Sequence, residues 1–200
     1  MRRKEFASSR KTGFFIGAMS YRNFLIANML FALGSGIAAP YWVLRVNEIV
    51  GIKYFGIAFG VSILSQSIGA LFVGKYIVLR LRAVILTQFL FACVILLLAT
   101  DLSFTAVMGV EVAIGILMAV QIVCTPVLIA EMSEKEHLGK RYGYFHSLDG
   151  IAIGLAMMLG STISVAFGVN SIFIIGAVLT LGSALLLLLS SIQKKSSIIL

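Results

Sequence analysis

Glu111 is the side chain with the clearest chemical potential, because it is acidic and lies inside a long apolar stretch, residues 104–129. A carboxylate in a lipid bilayer is costly and usually faces a cavity or a partner. Such a group could carry a proton along a path through the membrane. Two other interpretations stay open: the side chain reaches the outer membrane interface, or it pairs with Arg45 or Lys53.

Uncharged polar side chains recur at helical spacing in three apolar stretches. Asn28 shares a helix face with a serine seven residues later, and Gln66 falls in a series spaced by three and four residues. Viewed down the helix axis, Glu111, Gln121 and Thr125 lie within about one quadrant. These stripes either join helices by hydrogen bonds of about 0.6 kcal/mol each, or line a water-filled solute path. The candidate path residues are Asn28, Gln66, Glu111, Gln121 and Thr125.

A basic cluster separates the second and third apolar stretches. Lys75, Arg80 and Arg82 lie there, with no acidic residue among them. Asp149 lies near the start of the fifth apolar stretch, where a carboxylate could cap the helix or pair with one of these cations. We favour a structural or gating ion pair for Asp149, and a structural role for His146 one turn before it.

The motifs of enzymes and metal sites are missing from the sequence. It has no glycine-rich phosphate loop, no H-x-x-x-H pair and no nucleophile elbow. Cys93 and Cys124 lie within apolar stretches and form no metal motif. We therefore predict a protein that is not an enzyme and needs no metal or cofactor. Any transport would be driven by gradients, since no nucleotide site is present.

Composition shows which elements must position these residues. Hydrophobic residues make up 60% of the chain and charged residues 12%, against about 45–50% and about 25% in soluble domains. The apolar residues fall into runs near the length of about 20 residues that a membrane-spanning helix needs. We predict an all-α polytopic membrane protein with six transmembrane helices, at residues 23–44, 54–79, 83–100, 104–129, 144–168 and 171–190.

The basic residues indicate the orientation of these helices. With six spans, fourteen Lys and Arg residues fall on the side of the two termini, and two fall on the other side. Because positive residues are retained in the cytoplasm, we predict a multi-pass cell membrane protein. Its parts are a basic cytoplasmic N-terminal tail (1–22), a transmembrane domain (23–191) and a cytoplasmic C-terminal tail (192–200). Anionic lipid explains the net charge of +8 without a nucleic acid partner.

A short internal similarity indicates a repeat. Gly56 to Gly60 read GIAFG, and Gly150 to Gly154 read GIAIG, on predicted helices that run in opposite directions. The match favours two inverted three-helix units, although glycine-rich apolar chains also match by chance. Glycines four residues apart predict close helix packing, either static or able to slide. Pro40 and Pro126 are expected to interrupt the first helix of each unit.

Three parts of the sequence resemble the major facilitator superfamily. The first predicted helix, NFLIANMLFALGSGIAAPYWVL, is similar to the opening helix of a family half. Gly74, Lys75, Arg80 and Arg82 resemble the family's motif between helices two and three, with Val78 where the family has an acid. The passage from helix four to helix five is also similar, with an acidic end, a basic and glycine stretch that includes Arg141, and a glycine-rich helix: LIAEMSEKEHLGKRYGYFHSLDGIAIGLAMMLGSTI.

The resemblance implies one six-helix half of a twelve-helix transporter fold. The function that the resemblance implies is that of a gradient-driven secondary transporter of a small solute. A proton is the candidate coupling ion. Because the family's solute site lies between two halves, the chain would need a second half: a homodimer, a second six-helix chain, or the rest of a longer protein. The alternative is a membrane scaffold or regulatory subunit that transports nothing. The resemblance implies a cytoplasmic gate at Gly74, Lys75, Arg80, Arg82, Arg141 and Asp149.

Overall fold

Long helices account for nearly all of the chain that the computed structural model describes, which is residues 19–77 and 80–196, with side chains as far as residue 192. Residues 1–18 and 197–200 of the predicted tails, and Val78 of the loop motif, lie outside this part. A short 3-10 turn, Lys135–His137, links the fourth and fifth helices. The helices are α1 (Tyr21–Val50), α2 (Ile52–Tyr76), α3 (Arg80–Leu97), α4 (Phe104–Glu131), α5 (Leu138–Phe167) and α6 (Val169–Ser196).

All six helices are long and apolar enough to cross a membrane, which confirms the predicted all-α architecture. Four of them, α1, α4, α5 and α6, are longer than predicted. α1 continues from residue 44 to Val50 through Arg45 and Glu48, which form an ion pair one turn apart. α5 begins at Leu138 rather than at residue 144, because its basic first turns are helical before the apolar run starts. Apolar content thus located the spans, while polar helix ends extend beyond them.

Capping residues and glycines set several helix ends. Ser20 and Ser103 accept backbone N–H bonds from the first turns of α1 and α4, each at 3.3 Å. Single residues, Gly51 and Gly168, separate α1 from α2 and α5 from α6. Their φ angles of 72° and 82° lie in a region that other L-residues rarely adopt. Glycine therefore lets each pair of helices reverse direction within one residue.

The helices divide into an inner group and two outer members. α1 packs on α5 and α6, α4 packs on α2 and α3, and α3 also packs on α6. α1, α3, α4 and α6 contribute most of the buried side chains. By contrast, α2 buries Ala58 and Val73, and α5 buries four small or aromatic residues. These two helices leave most of their surface to lipid or to another protein.

Glycines permit the closest approaches, but at different positions from those predicted. A Cβ atom on Gly115 of α4 would lie 2.3 Å from the Ser62 carbonyl oxygen of α2, and one on Gly34 of α1 would lie 2.6 Å from the Gly176 carbonyl of α6. The four glycines of the internal similarity would meet nothing within 4 Å: Gly56, Gly60, Gly150 and Gly154. Close packing of those four inside the chain is therefore not observed. α1 and α4 both continue past their prolines.

Candidate functional site

Glu111 lies in the interior, at the meeting point of three helices. Its side chain is 1% exposed, and its Oε1 accepts a hydrogen bond of 2.9 Å from the indole Nε1 of Trp42 on α1. The Ser62 side chain on α2 lies near the same carboxyl group. The carboxylate is thus buried and held by a neutral donor, which does not fit the interpretation that it reaches the outer interface.

The two cations suggested as partners of Glu111 make other contacts. Arg45 Nη2 lies 2.9 Å from Asp101 Oδ1, in the connection between α3 and α4. A second Arg45 nitrogen lies 3.9 Å from Glu48. The Lys53 ammonium lies 5.3 Å from the centre of the Tyr54 ring. An ion pair between Arg45 and Glu111 was therefore the wrong interpretation, because Arg45 points toward the exposed acids at the helix ends.

A pocket of about 320 Å³ lies beside Trp42, between α1, α3, α4 and α5. Its lining is almost entirely apolar. The Ser35 hydroxyl donates to the Phe31 carbonyl oxygen at 2.9 Å, and the Trp42 N–H is used by Glu111. The lining residues are Ser35, Gly36, Ala38, Ala39, Trp42, Phe91, Val94, Ile95, Leu98, Ile114, Met118, Ile153 and Met157.

None of the five predicted path residues lines this pocket, and they do not form one cluster. Glu111 lies one helical turn from the lining residue Ile114, and Gln121 lies one turn from the lining residue Met118. Gln121 is buried and donates from Nε2 to the Thr87 hydroxyl of α3 at 3.0 Å. The Asn28 amide is also buried and donates to the Phe24 carbonyl of its own helix at 3.0 Å. Thr125 is buried in α4, and Gln66 is half-buried on α2.

Gln88 of α3 makes a polar contact in the core that was not predicted from the sequence. This side chain is fully buried, and its Oε1 accepts from the Ser183 hydroxyl of α6 at 2.8 Å. Its Nε2 has no hydrogen-bond partner among the residues that the structure describes. Two adjacent polar residues, Thr87 and Gln88, inside an apolar run were the signal that could have revealed it. Together with Gln121, they form the polar centre of the bundle.

Five of the six predicted gate residues lie at the end of the bundle that carries Tyr21, which we call the tail end. Asp149 lies further along α5, about 16 Å from Leu138. Arg80 at the start of α3 forms an ion pair with Glu131 at the end of α4, and not with Asp149. The Arg141 guanidinium donates to the Met132 carbonyl oxygen, and the Tyr21 hydroxyl donates to the Arg141 carbonyl at 2.7 Å. These contacts join the ends of α3 and α4, and those of α1 and α5.

Three of the other gate residues, Gly74, Lys75 and Arg82, lie at the same end. The Lys75 ammonium lies 4.9 Å from the centre of the neighbouring Tyr76 ring. Gly74 and Arg82 lie in the last turn of α2 and the first turn of α3. Asp149 is half-buried on α5, one turn after His146. Glu131 was not named among the candidate residues, although it is the acidic end of the passage that resembled the family.

The comparison with known families agrees with this architecture. A family model of the Major Facilitator Superfamily matches residues 24–198. The chain belongs to the major facilitator superfamily. No match was found among curated proteins or among solved structures. The match and the six apolar helices fit one six-helix half of a member of this family of membrane transporters, and they confirm a multi-pass membrane protein.

Proposed function

We propose that the chain is one half of a gradient-driven secondary transporter of a small solute, with Glu111 as the site that couples transport to protons. The observation that carries this proposal is the buried carboxylate beside an apolar pocket. Membership of a transporter family supports transport in general.

The environment of Glu111 suits a group that changes its charge during transport. Trp42, which donates to the carboxylate, and the nearby Ser62 are neutral, so neither cancels its charge. A buried charge without an opposite charge is costly, and a proton or a cationic solute removes that cost. Glu111 lies seven residues into α4, about 10 Å along the helix axis. It is therefore within the membrane but close to the end of the bundle opposite the tail end.

A second half is proposed to cover α2 and α5. These two helices bury the least surface, and both carry glycine pairs with open space beside them that would let another helix approach closely. They also carry Gln66 and Asp149, which are half-buried polar side chains. A second copy of this chain, another six-helix chain, or the rest of a longer polypeptide would complete the cavity.

The helix contacts support two inverted three-helix units. In such a repeat, α1 corresponds to α4, α2 to α5, and α3 to α6. Under this correspondence the α1–α5 contact is equivalent to the α4–α2 contact, and the α1–α6 contact to the α4–α3 contact. Both equivalent contacts are present, and the α3–α6 contact is equivalent to itself. This pattern is the one an inverted repeat produces in secondary transporters.

The contacts at the tail end support a gate on the side that the basic residues predict to be cytoplasmic. Arg80 and Glu131, together with Arg141 and Tyr21, join helices of both proposed units. We propose that these contacts close the tail end when the pocket is open toward the opposite side, in a cell membrane with both termini in the cytoplasm.

Proton flux into proteoliposomes tests the role of Glu111. Under an imposed pH gradient, a panel of solutes of varied charge and polarity should contain one that increases proton flux above empty liposomes. Glu111→Gln should return that flux to background, because an amide cannot exchange a proton. Glu48→Gln is the matched control, since this acid lies near the same end of the bundle but is exposed. Equal flux in the Glu111→Gln variant would refute the coupling role.

Native mass in lipid nanodiscs tests the second half. A homodimer predicts a mass near twice the chain mass of 21.6 kDa. Gly154→Leu on α5 should reduce it to one chain by blocking close approach. Gly109→Leu on α4 should leave the dimer intact, since a Cβ atom there also meets nothing within the chain. A single-chain mass for the unaltered protein would argue against a homodimer and leave the second half to another polypeptide.

A further inference from the structure

The lining of the pocket beside Trp42 indicates which chemical class of ligand the pocket can bind. Family membership alone does not indicate this. Its walls are apolar side chains from four helices, and the hydroxyl and indole N–H groups near it already have partners. A sugar, an amino acid or an inorganic anion would lose its hydrogen bonds to water there and gain few in return. The lining therefore selects a solute with an apolar body.

The end of the pocket nearest Trp42 differs from the rest of its wall. Glu111, Ile114 and Met118 are spaced three and four residues apart on α4, so they share one face of the helix. The last two line the pocket, and Glu111 continues their row by one turn. The Trp42 indole bridges the two features, because it lines the pocket and donates to the carboxylate. An indole ring and the carboxyl group bonded to it thus lie together at this end.

Both groups attract a positive charge. A cation within about 6 Å of a tryptophan ring is attracted by its π electrons, and more strongly where water is excluded. The carboxylate of Glu111 has a neutral hydrogen-bond donor, and Arg45 is occupied by Asp101. A bound cation would supply the missing opposite charge.

We propose that the pocket binds lipophilic monocations: solutes whose apolar body fills the space between α1, α3, α4 and α5, and whose single positive charge lies against Trp42 and Glu111. The inference rests on the proposed transport function and names its substrate class. A volume of about 320 Å³ is at the small end of ligand pockets and suits a body the size of one substituted aromatic ring.

The chain contains its own reporter for this site, since Trp42 is the single tryptophan among 200 residues. In detergent micelles, which contain no other protein, tryptophan emission therefore comes from Trp42 alone. Phenyltrimethylammonium is the test ligand. Its uncharged isostere tert-butylbenzene has the same shape without the charge, and tetramethylammonium has the charge without the apolar ring.

We expect phenyltrimethylammonium to change the emission of Trp42 saturably, and tetramethylammonium to leave it unchanged over the same range. Tert-butylbenzene should bind at least about tenfold more weakly, a difference of about 1.4 kcal/mol. Glu111→Gln should weaken binding of the cation to the level of the isostere, while Glu48→Gln should not affect it. Ala39→Phe, which fills the pocket from an exposed position on α1, should abolish binding of both aromatic probes.

Equal binding of the cation and its isostere, together with an unaffected Glu111→Gln variant, would overturn the cation proposal and indicate neutral apolar solutes. Absence of any saturable response would also overturn it. Helical circular dichroism of each variant verifies folding, and Ala39→Phe tests the pocket independently of Glu111. Binding is measured without a gradient, so its failure is separate from a failure of the proton-flux assay, which would instead contradict the proposed transport.

Discussion

The two ends of the bundle each hold a glutamate of α4, but in different surroundings. At the tail end, Glu131 is partly exposed and pairs with Arg80, an ion pair open to solvent. Toward the opposite end, Glu111 is buried and bonded to Trp42, with Ser62 nearby, and both of these residues are neutral. An opposite charge satisfies the first carboxylate, whereas the second has only neutral neighbours. Two glutamates of the same helix thus differ in role: Glu131 holds helix ends together, and Glu111 is the reactive group.

The largest contrast is expected in proton flux. Glu111→Gln should abolish solute-dependent flux, as described above, whereas Glu131→Gln should retain most of it and change mainly its rate. The physical reason is that the amide at position 131 can still bond to Arg80, while the amide at position 111 cannot bind a proton. If Glu131→Gln alone abolished flux in the same proteoliposomes, the assignment of roles to the two ends would be reversed.

A smaller contrast is expected in stability. Trp42→Phe keeps the apolar ring but removes a donor from a buried carboxylate, and should lower the free energy of unfolding by about 1–3 kcal/mol. Tyr21→Phe removes a hydroxyl that is only half-buried at the tail end, so water can replace its bond to the Arg141 carbonyl and the loss should be smaller. Denaturant titration of both variants in mixed micelles measures the difference. Equal losses would contradict the contrast in burial.

The smallest effect should come from the ion pair at the tail end. A double-mutant cycle with Arg80→Gln and Glu131→Gln should give a coupling energy of about 0.2–1 kcal/mol, as for other exposed pairs. Added salt should reduce it further, because exposed charges are screened. The loss caused by Trp42→Phe should not depend on salt. A coupling energy that stayed constant at high salt would indicate a pair more enclosed than the structure shows.

The fold was predictable because membrane spans depend on local composition. Six apolar runs, separated by basic or glycine-containing breaks, gave the number of helices, and three stretches that resemble the family gave the family. Helix ends were less predictable, since polar turns such as the one with Arg45 and Glu48 stay helical beyond the apolar run. A hydropathy pattern indicates where a helix enters the lipid. It does not indicate where the backbone hydrogen bonds of that helix stop.

The site was only partly predictable. The sequence marked Glu111 because a carboxylate in an apolar run is costly, but its partner Trp42 lies 69 residues away on another helix. Pairing by charge alone suggested Arg45, and the structure instead uses a neutral donor. Similarly, spacing identified a glycine face on α2 and α5 but could not show that this face is open. Side-chain type and periodicity give candidate residues, while the choice of partner depends on how distant helices pack.

The single-residue reversals at Gly51 and Gly168 have a practical consequence for probing the protein. Both lie at the end of the bundle opposite the tail end, so two of the three connections there consist of one residue each. A protease, an antibody or an inserted epitope needs several residues of accessible chain, and these turns do not provide them. The third connection, between α3 and α4, contains Asp101 and its neighbours. Topology tags for this face therefore belong in that segment.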